Sequence, residues 1–312
     1  MKSLFQQRFE TIVIGGGFAG SAAAWEAAIE GKTLLLSSSL DTIASSAWGP
    51  SLAPLQALEE TPAGVRFSEK VLRPALLGEI SSSTGPLVLF DTFALRRRWQ
   101  AALEELERLA VYEDTVEALG QSNGTWRVNT RWGSVFTAER IILAVGTFLE
   151  GRCRTGRDTK PGGRPGEIGA ERLRESLEAL GVVFMPARRE AAPTIMAASI
   201  DLESLSPLSL PGGPIRAYES AQADGRQIIL APMTRAALEL YACGTRANGS
   251  TIDETVLRAA RGLRDVEIVT PGFTVEYLKV SRAPKGLGFA GAIFGANDYV
   301  SAIISGLAAG TR

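Results

Sequence analysis

The sequence predicts an α/β fold: a Rossmann-like domain with a mostly parallel sheet and a β-meander, split by an inserted α+β domain. Three observations carry this. Residues 12–31, IVIGGGFAGSAAAWEAAIEG, run from an apolar strand through a glycine-rich turn into a helix, and TLLL at 33–36 follows as a second strand. Between 111 and 144, VYEDTVEALGQ, TWRVNTRW and VFTAERIILA alternate polar and apolar residues, with turn signals at Asn123-Gly124 and Trp132-Gly133, which reads as a small antiparallel meander. At Gly151 the composition shifts to GRCRTGRDTKPGGRPGE, rich in Gly, Arg and Pro, a loop leaving the sheet.

In the first unit the glycines fall as Gly15-x-Gly17-x-x-Gly20, with the small Ala24 and Gly31 at matching spacing. Each motif glycine removes a steric obstacle. Gly15 permits the turn, Gly17 lets a pyrophosphate approach the backbone, and Gly20 lets the helix lie close to the sheet. The phosphates would sit on the helix N-terminus at Phe18 and Ala19, where unpaired N–H groups and the dipole favour an anion. In this strand–turn–helix–strand context the motif marks a dinucleotide site. The acid that commonly binds the ribose about 20 residues further on is replaced by Ser37-Ser38-Ser39. Hydroxyls still hydrogen-bond a ribose, more weakly than a carboxylate does, and no nearby Arg argues for a 2′-phosphate. Between FAD and NAD, the meander placed late in a Rossmann sheet tilts the cofactor towards FAD by analogy.

The remaining elements follow in order. A Ser-, Ala- and Pro-rich stretch, 37–88, reads as a long irregular segment of the kind that carries function. A helix is expected from about Thr92 to Leu109; its run Arg96-Arg97-Arg98 fits a solvated face or a phosphate contact. The meander feeds into the parallel strand IILAVG, 141–146. The inserted domain is placed at 151–266, between a first cofactor-domain part at 1–150 and its return at 267–312. Within it, GAERLRESLEALG (169–181) has apolar residues at helical spacing and a glycine stop, 186–226 is loop-rich, and QIILAP (227–232) is a strand. VEIVTPGFTVEYLKV and then GLGFAG return to the sheet, and a last helix starts near Asp298.

Composition excludes several classes of function. With 312 residues, 45% apolar and 21% charged, the chain can bury a full core. It contains no histidine, so His triads, His bases and His metal ligands are all ruled out. Two cysteines, Cys153 and Cys243, lack metal-ligand spacing and read as free thiols; no metal site is expected. The balance of 33 basic and 34 acidic residues, net charge −1, lacks the basic footprint of an autonomous nucleic-acid binder. No apolar run approaches the ~20 residues of a membrane span, and MKSLFQQRFE carries no signal-peptide core. A cytoplasmic location without membrane attachment is expected.

The pieces IVIGGGFAG (12–20), KTLLLSSSLDTI (32–43), LAVGTFLEGR (143–152), GGRPGE (162–167), RQIILAP (226–232), PGFTVEY (271–277) and GFAGAIFGANDYVSAIISGLAAG (288–310) together resemble the GidA/MnmG group of FAD-dependent tRNA-modification proteins. A lesser likeness is to the folate-dependent TrmFO tRNA methyltransferases: SAAAW and YVSAIISGLAAG lean that way, Asp41-Thr42-Ile43 and GGRPGE towards GidA. The resemblance implies a FAD-binding domain split by an insertion, FAD as cofactor, NAD(P)H as a candidate reductant, and tRNA or another protein as candidate partner. By position it implies pyrophosphate on Gly15, Gly17 and Gly20, ribose near Ser37 and Ser38, and the adenine edge near Val116. Ala144, Gly146 and Thr147 would pass close to the cofactor. Gly291, with Tyr299 and Val300 opening the last helix, would approach the flavin side as a second anion-friendly helix end.

The departures from that group bear on chemistry. Ala47-Trp48-Gly49-Pro50 stands where those proteins carry a loop cysteine implicated in catalysis, so Trp48 replaces a thiol. An indole has only an N–H donor and cannot act as the nucleophile. Trp48 fits a core or lid position, or stacking on the isoalloxazine or on a substrate ring. The second family cysteine has no counterpart, Arg188-Arg189-Glu190-Ala191-Ala192-Pro193-Thr194 replaces the Lys-Thr-Gly-Thr-Pro-Pro segment, and Ala292 and Phe294 replace a Gln and an Asn. A small form ending at the last helix, without the C-terminal helical domain, is expected. Three functions follow: a FAD-dependent oxidoreductase linked to tRNA wobble-uridine modification, a flavoprotein acting on a small molecule, or a non-catalytic FAD-binding module. The catalytic residues are not legible.

Overall fold

The computed structural model describes residues 6–44, 51–52, 55–82, 85–90, 92–155, 158–167, 169–170, 172–191, 194–204, 206–208, 215–222, 225–232, 237–243, 265, 267–270, 273–284 and 286–311. Trp48 and its neighbours lie outside the described residues.

The glycine motif forms β1 (Gln6–Ile14), α1 (Phe18–Glu30) and β2 (Thr33–Ser37). Next come β3 (Ser51–Leu52), α2 (Leu55–Leu58), α3 (Pro62–Phe67), β4 (Leu76–Ser82) and β5 (Gly85–Phe90). The stretch 37–88 is thus more ordered than its composition implies. Thr61 caps α3 by accepting from Gly64 N at 3.1 Å, with Pro62 at the first helical position. The β4–β5 pairing slips between Leu76 and Gly78, which breaks the alternation that would have revealed the hairpin.

After α4 (Thr92–Glu104) the chain forms β6 (Leu109–Glu113), β7 (Val116–Ser122), β8 (Thr125–Thr130) and β9 (Val135–Leu143). The helix ends before the expected Leu109, which opens β6. The Asn123-Gly124 hairpin turn has φ of 49° and 75°, the left-handed pair such a tight turn needs. Then follow β10 (Arg152–Thr155), β11 (Asp158–Pro161), α5 (Leu173–Ala179), β12 (Val183–Ala191), β13 (Thr194–Met196), β14 (Ser206–Leu208), β15 (Ile215–Gln222), β16 (Gly225–Pro232) and β17 (Ala237–Cys243). The chain closes with β18 (Ile268–Thr270), β19 (Phe273–Arg282), β20 (Leu287–Phe289) and α6 (Tyr299–Gly310).

The main sheet has the order β6-β2-β1-β9-β8-β7. β9 is shared between two kinds of neighbour: Val135–Ala138 pairs antiparallel with β8, while Ile141–Leu143 pairs parallel with β20, and its other edge pairs parallel with β1. One strand therefore carries both the meander and the return of the C-terminal segment. Three further sheets are β11-β10-β19-β12, β14-β15-β16-β17-β13-β18 and β3-β5-β4. Two sequence expectations change here. The segment 186–226, read as loop-rich, supplies most of β12, then β13, β14 and β15; β12 is an edge strand, where Pro186 and the charged ARREA run are tolerated. And β19, read as returning to the main sheet, pairs with β10 and β12; the main sheet is re-entered only at Leu287.

Two apolar clusters flank the main sheet. On one face α1, α4 and α6 meet in a core containing Phe18, Phe67 and Trp99, with Phe18 stacked on Trp99 at 5.0 Å between centroids. On the other, Phe9, Ile12, Leu34, Trp126 and Phe289 pack with Leu173 and Leu177 of α5. α1 and α6 pack at the closest approach that glycine permits: a methyl group on Gly306 would overlap the Ala19 carbonyl oxygen, and one on Gly310 would lie 2.7 Å from the Ala23 carbonyl oxygen. On α4, Arg97 and Arg98 are exposed, as a solvated face requires.

Glu59 ties the α2–α3 region together, accepting from Arg73 Nε and Nη2 at 2.9 and 2.6 Å and from Ser68 Oγ at 2.6 Å. The Arg73 hydrogen bonds, then that of Ser68, hold its carboxyl below the usual 4.5. A carboxylate with a lowered folded pKa stabilises at neutral pH, and that stabilisation fades as pH falls below about 4.5. Glu59→Gln is expected to lower the melting temperature at pH 7 and to approach wild type in acid; equal deficits at pH 7 and pH 3 in thermal unfolding would contradict this.

Candidate functional site

The carboxyl ends of the parallel strands open on a cleft that is continuous with solvent. Its floor is Ile14 with Gly15, Gly16 and Gly17; one wall is Leu36, Ser37, Ser38 and Thr42; another is Asp114, Thr115 and Val116; the third is Ala144, Val145 and Gly146, closed by Phe148, Arg164, Glu167, Gly169, Ala170 and Leu173. Ligands of open α/β sheets bind at this end of the strands.

The glycine turn has the steric logic expected of it. Gly15 has φ +108°, and a methyl there would overlap the Ala144 carbonyl oxygen. Its N–H donates to Leu36 O at 2.8 Å, which stitches the turn to β2. A methyl on Gly20 would overlap the Gly15 carbonyl oxygen, so α1 rests directly on the turn. Gly17 is the N-cap of α1 in extended conformation, without a side-chain cap, and no acidic residue occupies the first turn. The positive end of the helix dipole is thus uncompensated by a carboxylate and faces the cleft through Gly17.

The cleft brings together Gly15, Gly17, Ser37, Ser38, Val116, Ala144 and Gly146. The other expected residues do not line it. Phe18, Ala19 and Gly20 are buried. Tyr299 meets the Phe18 ring edge-on at 5.3 Å, and Val300 is in the core. Thr147 is turned away, its Oγ1 donating to Gly163 O at 2.7 Å. That bond explains why LAVGTFLEGR and GGRPGE occur together: Gly162 N also donates to Gly151 O at 2.8 Å, and Gly163 faces the Phe148 ring too closely for any side chain. Gly291 approaches the first turn of α1, where a methyl would lie 2.8 Å from Ala19 Cβ, and its N–H is taken by Ser305 Oγ at 2.8 Å.

The α6 end differs from expectation. Asp298 is its N-cap and forms a capping box, accepting from Ser301 N at 2.8 Å. A carboxylate already sits on this helix end, which lowers its attraction for a phosphate.

Sequence reasoning missed Asp114, Thr115, Thr42, Arg164 and Glu167. Arg164 and Glu167 are joined at 3.0 Å within the GGRPGE turn. Asp114 is buried, and no motif spacing announced it. Ser37 Oγ donates to Ser39 O at 2.8 Å, which leaves its oxygen able to accept. Cys153 is buried with its thiol donating to Gly162 O at 3.1 Å; burial, then Glu167, pushes its pKa up, which keeps it protonated and unreactive. Among the described residues no group of three His, Cys, Asp or Glu side chains could hold a metal, and no helix is long and apolar enough to cross a membrane.

A family model described as "Glucose inhibited division protein A" matches residues 10–210. Among solved structures, the chain is similar to Aquifex aeolicus GidA, with a TM-score of 0.80 at 18% identity over 97% of this chain and 62% of that one. The GidA-related protein from Thermus thermophilus aligns with a TM-score of 0.53 at 19% identity over 96% of both chains. Glycine oxidase from Geobacillus kaustophilus aligns at 0.53 and 14% identity over 98% of this chain and 93% of that one. These identities carry a likeness of fold. The chain spans 62% of the length of the Aquifex protein.

Proposed function

The chain belongs to the glucose inhibited division protein A family, and from that membership we propose that it is a FAD-binding oxidoreductase with a part in tRNA wobble-uridine modification. The observation that carries the cofactor assignment is the cleft itself: a glycine cradle and an α1 N-terminus without an acid stand beside a hydroxyl-bearing strand end and Val116. The residues fit a dinucleotide. Gly15 and Gly17 would hold the pyrophosphate, Ser37 and Ser38 the ribose, Val116 the adenine edge, with Ala144 and Gly146 alongside. Residues 1–150 and 267–312 form the cofactor part in this proposal, and 151–266 covers the flavin end.

Bound FAD supplies hydride and electron transfer, with NAD(P)H as reductant. The chain's own part is to bind, to orient and to exclude water. The substitution of Trp48 for a family cysteine argues that any tRNA chemistry proceeds without that thiol, and a net charge of −1 argues that tRNA binding depends on a partner protein.

Purified protein is expected to carry one FAD per chain and to be bleached anaerobically by NADH or NADPH. A colourless protein that takes up no FAD would reject the cofactor assignment. Loaded protein that NAD(P)H leaves oxidised would reject the reductant, and failure to shift tRNA even with cell extract present would reject the tRNA role.

A further inference from the structure

We propose that Asp114 is the ribose-binding carboxylate of this cleft, standing in for the acid that the end of β2 lacks; the proposal rests on the dinucleotide assignment above. Asp114 lies in the β6–β7 connection, is 4% exposed and lines the cleft. Its Oδ1 accepts from the backbone N–H of Thr115 at 2.7 Å and of Trp132 at 3.4 Å. Its Oδ2 is buried and has no hydrogen-bond partner. The backbone N–H of Asp114 donates to Ser37 O at 2.9 Å, so the carboxylate is pinned against the strand end where the ribose acid is ordinarily found.

A buried carboxylate oxygen without a donor is costly, and a ligand hydroxyl in this cleft would supply the missing O–H. Two features of the cleft choose the ligand group. The anion-attracting end is the α1 N-terminus at Gly17, and Asp114, a negative charge, repels phosphate. A ligand with phosphates at one end and hydroxyl donors at the other is therefore oriented in one way, pyrophosphate on Gly17 and ribose diol on Asp114. Ser37, whose hydroxyl is turned to Ser39 O, is left a secondary role. The same charge disfavours a 2′-phosphate, so the site selects dinucleotides with a free diol.

The test is calorimetric binding of ADP and of 2′,3′-dideoxy-ADP to the apoprotein, for wild type and Asp114→Asn. Asn keeps an oxygen for the Thr115 and Trp132 amides while replacing the free acceptor by a donor. Wild type is expected to prefer ADP by roughly tenfold or more, the value of a hydrogen bond to a charged group. Asp114→Asn should reduce that preference to about threefold or less with its apo melting temperature close to wild type. Wild type binding both nucleotides equally would overturn the proposal whatever the variant does, and so would an Asn variant that keeps the full preference. Wild type that binds neither ADP nor FAD would instead remove the dinucleotide assignment, and this proposal with it.

Discussion

Gly17→Val is expected to abolish retention of FAD while leaving the apoprotein nearly as stable as wild type. Gly17 is the N-cap of α1 at φ −66° and ψ −174°, an extended conformation that a β-branched residue adopts without strain. The cost to the helix end is therefore small, within about 1 kcal/mol. The cost to the ligand is large, because the valine methyls occupy the space through which a pyrophosphate must approach the first-turn amides. Losing two charge-assisted hydrogen bonds corresponds to roughly a 100-fold fall in affinity. Flavin absorbance after gel filtration, set beside apo thermal unfolding, reads both quantities. Stoichiometric FAD in the variant would place the pyrophosphate elsewhere.

The largest effect on stability should come from the contact between α1 and α6. Gly306→Val places three carbons where one already overlaps the Ala19 carbonyl oxygen and sits 3.0 Å from Ala22 Cβ. Neither obstacle can swing aside: one is helix backbone and the other a methyl fixed to it. The helices must separate or α1 must shift on Gly15, and overpacking of this kind costs about 1–3 kcal/mol or more. Because α1 also carries the ligand turn, FAD should weaken with it. Ala308→Val, on the exposed side of α6, is the control and should cost only about the difference in helix propensity. Equal melting temperatures for the two variants would show that the close packing of α1 and α6 contributes little.

Much of the fold was legible along the chain because its signals are local. The strand–turn–helix–strand unit, the meander and the last helix from Asp298 each rest on residues near in sequence: glycines that relieve a specific clash, alternation with period two, an Asn-Gly turn, a capping aspartate. Where the signal was weak the structure decided. β12 carries the charged residues and proline of an edge strand, so it has no apolar alternation to read. The pairing of β4 with β5 slips between Leu76 and Gly78. The neighbours of β19 follow from which sheet edge was open, a matter no stretch of residues 273–282 encodes by itself.

The candidate site divides in the same way. The sequence by itself determined the glycine cradle, the serines at the β2 end and the absence of histidine chemistry, since these depend on residue type and short spacing. It also carried the family resemblance, which the match over residues 10–210 bears out. Only the tertiary structure decided that Thr147 turns to Gly163 and away from the cleft, and that Asp114 presents an unpaired oxygen beside Ser37. Each of these depends on where a hydrogen-bonding partner from a distant segment arrives, and parallel strands joined by long crossovers bring together residues that no spacing along the chain relates.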